Sequence, residues 1–217
     1  MSDEPVKPLK PPKRARRKPR SPNPLVREKL LAAANELSAE RDPNEMRIDE
    51  VAERAGVAVG TFYLYFDGKD DLFTSLVVDH TARLRERLTK AMSTTPPGED
   101  PGERRLDAYL DFVDENRQAF LYFLRAGSLE TNVGDLNTWA FSQHALDAFP
   151  LIDALLGPDA EVSDVERELL VQAMLSVTQH LAGYWVRHDD RIARDELKSF
   201  IRTVTEAVIL HLHSRKA

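Results

Sequence analysis

The chain contains no cysteine and no apolar run approaching the length of a membrane span. Disulfides, thiolate metal sites and cysteine nucleophiles are therefore excluded, and the composition fits a reducing cytoplasm. The missing apolar run excludes a transmembrane helix. No apolar segment follows the basic N-terminus, so we expect no secretory signal. These absences predict a cytoplasmic protein without a membrane partner.

Recognisable catalytic patterns are also missing. The six histidines have no metal-ligand spacing, and His211 and His213 lie two positions apart, on different sides of a helix. There is no glycine-rich phosphate loop and no nucleophile elbow. We therefore expect no bound metal, no cofactor and no enzymatic activity. A helical enzyme or metal-binding protein is kept as the third alternative.

The charge of −6 conceals a strong partition. Residues 1–24 hold eight basic and two acidic side chains, whereas residues 25–72 hold six basic and eleven acidic ones. Residues 1–22 are rich in Pro, Lys and Arg without periodicity, which predicts a disordered basic arm. Such an arm is either a solvated tail or a DNA-binding segment whose phosphate contacts would include Arg14, Arg16 and Arg17.

Two short helices around a glycine are predicted over residues 47–66. The apolar positions of the first recur at helical spacing: Ile48, Val51, Ala52 and Ala55. Gly56 supplies the left-handed conformation that a sharp helix exit needs. In the second helix Phe62 and Phe66 face inward, which leaves the opposite side free. A short helix with a free side is typical of nucleic-acid recognition.

The rest of the chain is predicted to be helical, without strands or repeats. Asn23 before Pro24 signals the start of a first helix ending near Arg41. A long helix runs from Lys69 to about Met92, followed by a Pro- and Gly-rich loop. The later helices are predicted at residues 103–115, 117–127, 133–156, 163–187 and 195–214. The apolar faces of the last two exceed one stripe, which favours a homodimer through these helices.

The chain resembles TetR-type transcriptional regulators. The resemblance rests on Val51-Ala52, Ala55-Gly56-Val57, Gly60-Thr61, Tyr63, Tyr65-Phe66, Lys69 and Leu72. It implies an all-α fold, in which an N-terminal three-helix helix-turn-helix DNA-binding domain (23–68) is joined by a long helix to a C-terminal helical effector-binding and dimerisation domain (69–217). It also implies a homodimer that binds a palindromic operator and responds to a small molecule.

The resemblance assigns DNA-binding positions residue by residue. They are Arg47, Ala58, Val59, Gly60, Thr61, Tyr63, Leu64, Tyr65 and Lys69. Tyr63 and Lys69 match phosphate-holding residues of the family. Arg47 stands where the family usually has a capping threonine. This difference removes a cap worth roughly 1 kcal/mol and adds a positive charge. Apolar side chains at the reading positions predict that DNA shape and thymine methyl contacts dominate over bidentate hydrogen bonds.

Polar residues on otherwise apolar helices suggest an effector pocket. The candidate ligand-binding residues are Tyr109, Phe112, Phe120, Phe123, Trp139, Gln143, His144, Gln179, His180 and Tyr184. Arg83, Arg117 and Arg125 are candidate anchors for an acidic group. Read residue by residue, the same side chains also fit a core or dimer interface. The composition favours a lipophilic effector, such as a fatty acyl derivative.

These observations predict a ligand-responsive regulator of transcription, acting as a repressor. Double-stranded operator DNA, a second copy of the chain and a lipophilic small molecule are the expected partners. The alternative is a DNA-binding adaptor whose C-terminal domain binds a protein. The operator sequence and the identity of the effector lie beyond the sequence.

Overall fold

The computed structural model describes residues 23–40, 42, 45–126, 132–158 and 162–214. Among these residues there are nine α-helices and no strand. The helices are α1 (Pro24–Glu40), α2 (Ile48–Arg54), α3 (Val59–Tyr65), α4 (Lys69–Ser93), α5 (Pro101–Glu115), α6 (Arg117–Ala126), α7 (Asn132–Leu156), α8 (Asp164–Arg187) and α9 (Arg194–Ser214). Their bounds lie within two residues of the predicted ones. The all-α prediction is confirmed.

The chain packs as two compact units. The motif-bearing unit contains the described residues as far as Leu84, together with Glu115–Ala140. The paired-helix unit contains Arg85–Asp114 and the described residues from Phe141 onward. The functional boundaries predicted at residues 22 and 68 stay predictions, because packing groups the chain differently from the sequence motif.

The motif-bearing unit is built on one apolar core. α1 packs against α2 and α6, and α2 packs against α3. The core side chains include Leu30, Val51, Phe62, Phe66 and Leu72. Gly56 has φ of 69°, the left-handed conformation predicted for the turn. Gly56 therefore allows the chain to turn sharply after α2. α3 begins three residues after Gly56, and both helices contact the same core.

The paired-helix unit has an apolar core shared by α7, α8 and α9. α8 and α9 pack against each other. Ser163 caps α8 as predicted, since its Oγ accepts from the Glu166 N–H at 3.2 Å and Glu166 Oε2 accepts from the Ser163 N–H at 3.0 Å. α5 is tied to α9 through Asp107, which accepts from Lys198 Nζ at 2.8 Å. The start of α8 thus has a local cause, whereas the contact between α5 and α9 joins residues 91 positions apart.

No helix in the described part of the chain combines the length and apolarity needed to cross a bilayer. No group of three or more His, Asp or Glu side chains there is arranged to hold a metal ion.

Candidate nucleic-acid interface and effector residues

Helix α3 is held by one buried side chain. Phe62 is the buried residue of this helix, and its ring centroid lies 5.3 Å from that of Phe66. Val59, Tyr63 and Leu64 are exposed, the last two by 55 % and 57 %. α3 therefore has one side bound to the core and one side open to a partner, as the apolar spacing predicts.

The start of α3 leaves open space at the surface. Ala58 is the N-cap residue and is exposed, as is Gly60, whereas Thr61 is half-buried. A Cβ placed on Gly60 would meet no described atom within 4 Å. Glycine therefore relieves no clash inside the described part of the fold, and the space beside it is available for close approach by a ligand.

Helix α3 carries no charged side chain, since its sequence is Val-Gly-Thr-Phe-Tyr-Leu-Tyr. Phosphate neutralisation must therefore come from other segments. The exposed polar group is the hydroxyl of Tyr63, and exposed Val59 and Leu64 offer apolar surface suited to a thymine methyl. This composition fits the prediction of few bidentate base contacts.

Arg47 precedes α2 and is exposed, but its charge is already partnered. Its Nε and Nη2 donate to the two carboxylate oxygens of Asp49 at 3.0 and 2.8 Å. This pair raises the pKa of Arg47 and lowers the pKa of Asp49. The Arg47 side chain provides no cap; instead Glu50 Oε2 accepts from the Arg47 N–H at 3.0 Å. The helix start thus keeps one half of a capping box.

Lys69 is the half-buried first residue of α4. Its Nζ lies 5.3 Å from the centroid of the Phe73 ring. Burial lowers the pKa of Lys69, while the charges of Asp42 and Asp70 act in the opposite direction. The two carboxylates offset part of the positive charge that would attract a phosphate, so Lys69 alone supplies limited attraction.

Tyr65 connects the end of α3 to the start of α1. Its hydroxyl accepts from the Asn23 N–H at 3.1 Å, and its partly buried ring packs against the core of the motif-bearing unit. Asn23 Oδ1 in turn accepts from the Leu25 N–H at 3.1 Å. Tyr65 therefore holds Asn23 at the start of α1, and its contact with DNA stays a prediction. Arg14, Arg16 and Arg17 lie outside the described residues.

The predicted effector residues fall in both units. In the motif-bearing unit, Phe120 is half-buried and Trp139 packs against Val77 and Ala140. The side chain of Phe123 lies outside the described part of the chain.

In the paired-helix unit, the predicted residues divide between interior and surface. Phe112 and Gln143 are buried, and burial raises the pKa of Tyr109. On α8, His180 and Tyr184 are exposed; His180 Nδ1 lies 2.9 Å from the Ser176 carbonyl oxygen of its own helix. Gln179 is half-buried. The candidates on α5 and α7 are thus better shielded from solvent than those on α8.

His144 on α7 lies in a strongly charged neighbourhood. Burial lowers its pKa to about 4, and the nearby Arg105 and Arg85 act in the same direction against Asp147. Gln143 Oε1 accepts from Arg85 Nη1 at 3.3 Å. Arg85 also donates to both oxygens of Asp147, at 2.5 and 2.8 Å. His144 is therefore neutral at neutral pH.

Arg105 is the residue that reasoning from the sequence missed. It is 8 % exposed, whereas the Arg83 side chain is 53 % exposed and pairs weakly with Asp79 at 3.9 Å. The available signal was its spacing on α5, four residues before Tyr109 and seven before Phe112, within an apolar stripe. Burial lowers the pKa of Arg105, and Asp147 and Tyr109 oppose that effect.

A seven-residue helix after a glycine turn, anchored on one side and open on the other, has the geometry of a helix-turn-helix motif. The family model for bacterial regulatory proteins of the TetR family matches residues 30–76. Residues 30–76 thus match the N-terminal DNA-binding part of this family, and the chain is similar to its transcriptional regulators. This class of protein acts by binding and not by catalysis.

Three similar proteins illustrate the match. The HTH-type transcriptional activator FasR of Mycolicibacterium smegmatis is 26 % identical over 181 residues, which cover 83 % of this chain and 81 % of FasR. A TetR-family regulator from Streptomyces coelicolor has a TM-score of 0.69 at 24 % identity, over 90 % of this chain and 89 % of its own. FadR from Bacillus subtilis, solved with stearoyl-CoA, has a TM-score of 0.66 at 17 % identity, over 84 % and 97 %.

Proposed function

We propose that the chain is a dimeric repressor that binds a palindromic operator and is released by a lipophilic small molecule. The observation that carries the proposal is the combination of an exposed, uncharged α3 with a second compact unit that contains shielded polar residues on α5 and α7. A regulator of this kind acts in the cytoplasm, where operator DNA is accessible.

Dimerisation is supported by the exposed apolar side chains of the last two helices. On α8 these are Val165, Leu169 and Tyr184, and on α9 they are Phe200 and Leu210. Phe200 and Leu210 are ten residues apart, which places them within one third of a turn on the same side of α9. A second copy of the same surface would remove both from water through a two-fold contact.

The effector is proposed to have a fatty acyl or related apolar body. Fold similarity to FadR of Bacillus subtilis, which was solved with stearoyl-CoA, supports this class of ligand. The apolar core shared by α7, α8 and α9 supports it as well. By linkage, a ligand that releases DNA must bind more weakly to the DNA-bound protein.

An activator is the second candidate, because the relative FasR is named a transcriptional activator. Selection of genomic fragments by the purified chain identifies the operator, and transcripts beside it separate the two roles. We expect these transcripts to rise when the gene is deleted; a fall would assign the activator role. We also expect a solution mass twice the 24.6 kDa of one chain, with one such dimer on each minimal operator.

Most of the non-specific attraction for DNA is proposed to come from residues 1–22. This segment holds eight basic side chains, whereas α3 holds none and Arg47 is paired with Asp49. Deletion of residues 1–22 is expected to weaken binding to all duplexes. It should also flatten the salt dependence by up to about seven units in the log–log slope, if every basic residue contacts a phosphate.

Leu64→Ala provides the matched control for this deletion. It removes an exposed apolar side chain from α3 without changing the charge. The variant should change the preference among operator sequences and leave the salt slope unchanged. Binding isotherms at several salt concentrations measure both. An unchanged slope after the deletion would assign the arm no role in DNA binding.

A further inference from the structure

Two buried polar atoms, one on α5 and one on α7, have no hydrogen-bond partner among the described residues. They are Arg105 Nη2 and His144 Nδ1, for which the described residues supply neither a donor nor an acceptor. The Arg105 side chain is more than nine-tenths buried. The two helices are adjacent, since a Cβ on Gly102 would lie 3.5 Å from Leu151 Cδ1. Unpaired polar atoms in such a place carry a substantial desolvation cost.

The described charges that act on His144 are two arginines, Arg85 and Arg105, and one carboxylate. Asp147 is the nearby carboxylate, and it already accepts two hydrogen bonds from Arg85. On α5, Glu103 and Asp107 bind Lys198 of α9, and Asp111 lies 2.5 Å from Arg194 Nη1. Arg85 and Arg105 thus share a single carboxylate. One negative charge would balance the cluster.

We propose that Arg105 and His144 bind the carboxylate of a monoanionic effector with an apolar body. The proposal rests on the ligand-responsive function proposed above and narrows its ligand class. A guanidinium binds a carboxylate through two parallel hydrogen bonds, and an imidazole N–H supplies a third donor. His144 provides that donor in the neutral state when the proton is on Nδ1.

This chemistry separates free acids from related lipids. An acyl thioester or ester presents only a neutral carbonyl to the pair, and an alcohol presents a neutral hydroxyl. An alkyl phosphate carries up to two negative charges against one unbalanced positive charge. The carboxylate is therefore the head group that satisfies both the two unpaired atoms and the charge.

The first test titrates the full-length protein with saturated ligands of equal chain length: dodecanoate, dodecanol, methyl dodecanoate, dodecyl phosphate and dodecanoyl-CoA. Calorimetry and the fluorescence of Trp185, which is buried in the same unit, report binding. We expect dodecanoate to bind at least about ten-fold tighter than the alcohol and the methyl ester. Equal affinities for these three ligands, or tighter binding of the thioester or the phosphate, would overturn the proposal.

The second test compares Arg105→Gln with Arg104→Gln. Arg104 is the adjacent, exposed residue of α5, whose Nε lies 3.7 Å from Glu99 Oε2, so it controls for the loss of one positive charge. Arg105→Gln should bring the acid, ester and alcohol within about two-fold of one another, and Arg104→Gln should retain the preference. Arg105→Lys should retain part of it, because the charge remains. A preserved preference in Arg105→Gln would contradict the assignment.

Two further measurements separate a structural role of Arg105 from ligand binding, and a failure of this proposal from a failure of the proposed ligand response. The melting temperature of Arg105→Gln should equal or exceed that of the wild type, because a buried and unbalanced charge has been removed. A large fall would instead indicate a structural role. Release of operator DNA by the thioester but not by the acid would overturn this proposal alone. No release by any lipophilic ligand would overturn the proposed ligand response itself.

Discussion

Replacing Phe62 with alanine is expected to lower the free energy of unfolding by about 3–5 kcal/mol and to abolish operator binding. Phe62 is fully buried, and it is the buried residue of the seven-residue helix α3. Seven residues form fewer than two complete turns of hydrogen bonds, so such a helix is not stable alone. Its position depends on the contact of this ring with the core. Urea unfolding followed by circular dichroism measures the stability, and operator titration measures the function.

The controls use the exposed neighbours of Phe62. Tyr63→Phe removes an exposed hydroxyl and should leave stability within about 0.5 kcal/mol of the wild type. It should still weaken DNA binding if that hydroxyl contacts a phosphate. A Phe62→Ala variant with near wild-type stability and operator affinity would show that α3 is positioned by other contacts.

Features with local causes were predictable from the sequence. The left-handed φ of Gly56 follows from a glycine placed directly after an apolar helical repeat. The cap of α8 follows from Ser163 and Glu166 at capping-box spacing. Phe62 and Phe66 are both buried because a spacing of four residues places them on the same side of the helix. Tyr63 lies off that side and is exposed. In each case the interacting groups lie within about one helical turn in the chain.

Features with distant partners were not predictable. Arg85 donates to Asp147, which lies 62 residues away in the chain, and Lys198 donates to Asp107, which lies 91 residues away. No rule of residue spacing predicts such pairs, because the tertiary packing of the helices determines which side chains meet. Arg105 was missed for a different reason: its place in an apolar stripe was visible, but a single arginine on an amphipathic helix usually extends into solvent. Only the packed structure shows that this one is enclosed while its neighbour Arg104 is exposed.

The candidate DNA interface illustrates both cases. Its open side was predictable, but the contacts of its charged residues were not. Arg47 binds Asp49, and Lys69 lies over the Phe73 ring beside acidic neighbours. Tyr65, predicted from the resemblance to face DNA, also accepts a hydrogen bond from Asn23 at the end of the arm. Tyr65 therefore joins the end of α3 to the residue that directly precedes α1.

Acidification is expected to destabilise the protein between about pH 6.5 and pH 4, through two histidines. Burial lowers the pKa of His80 and of His144 from 6.5 to about 4. In this interval the unfolded chain binds protons at both imidazoles, whereas the folded chain does not. Stability from this source is therefore complete above pH 6.5 and is lost as the pH falls. Each histidine contributes about 3 kcal/mol over the full interval.

The two contributions can be separated, because His80 belongs to the motif-bearing unit and His144 to the paired-helix unit. His144→Gln should remove about half of the loss between pH 6.5 and pH 4, and the double variant with His80→Gln should remove most of it. His211→Gln alters an exposed imidazole and serves as the control. The readout is the slope of unfolding free energy against pH, so a uniform destabilisation by either substitution does not obscure it. An unchanged slope in His144→Gln would mean that this imidazole is protonated in the folded protein as readily as in the unfolded chain.

Because a carboxylate beside His144 favours the charged imidazole, dodecanoate should reduce the acid sensitivity of the wild type and have no such effect on His144→Gln.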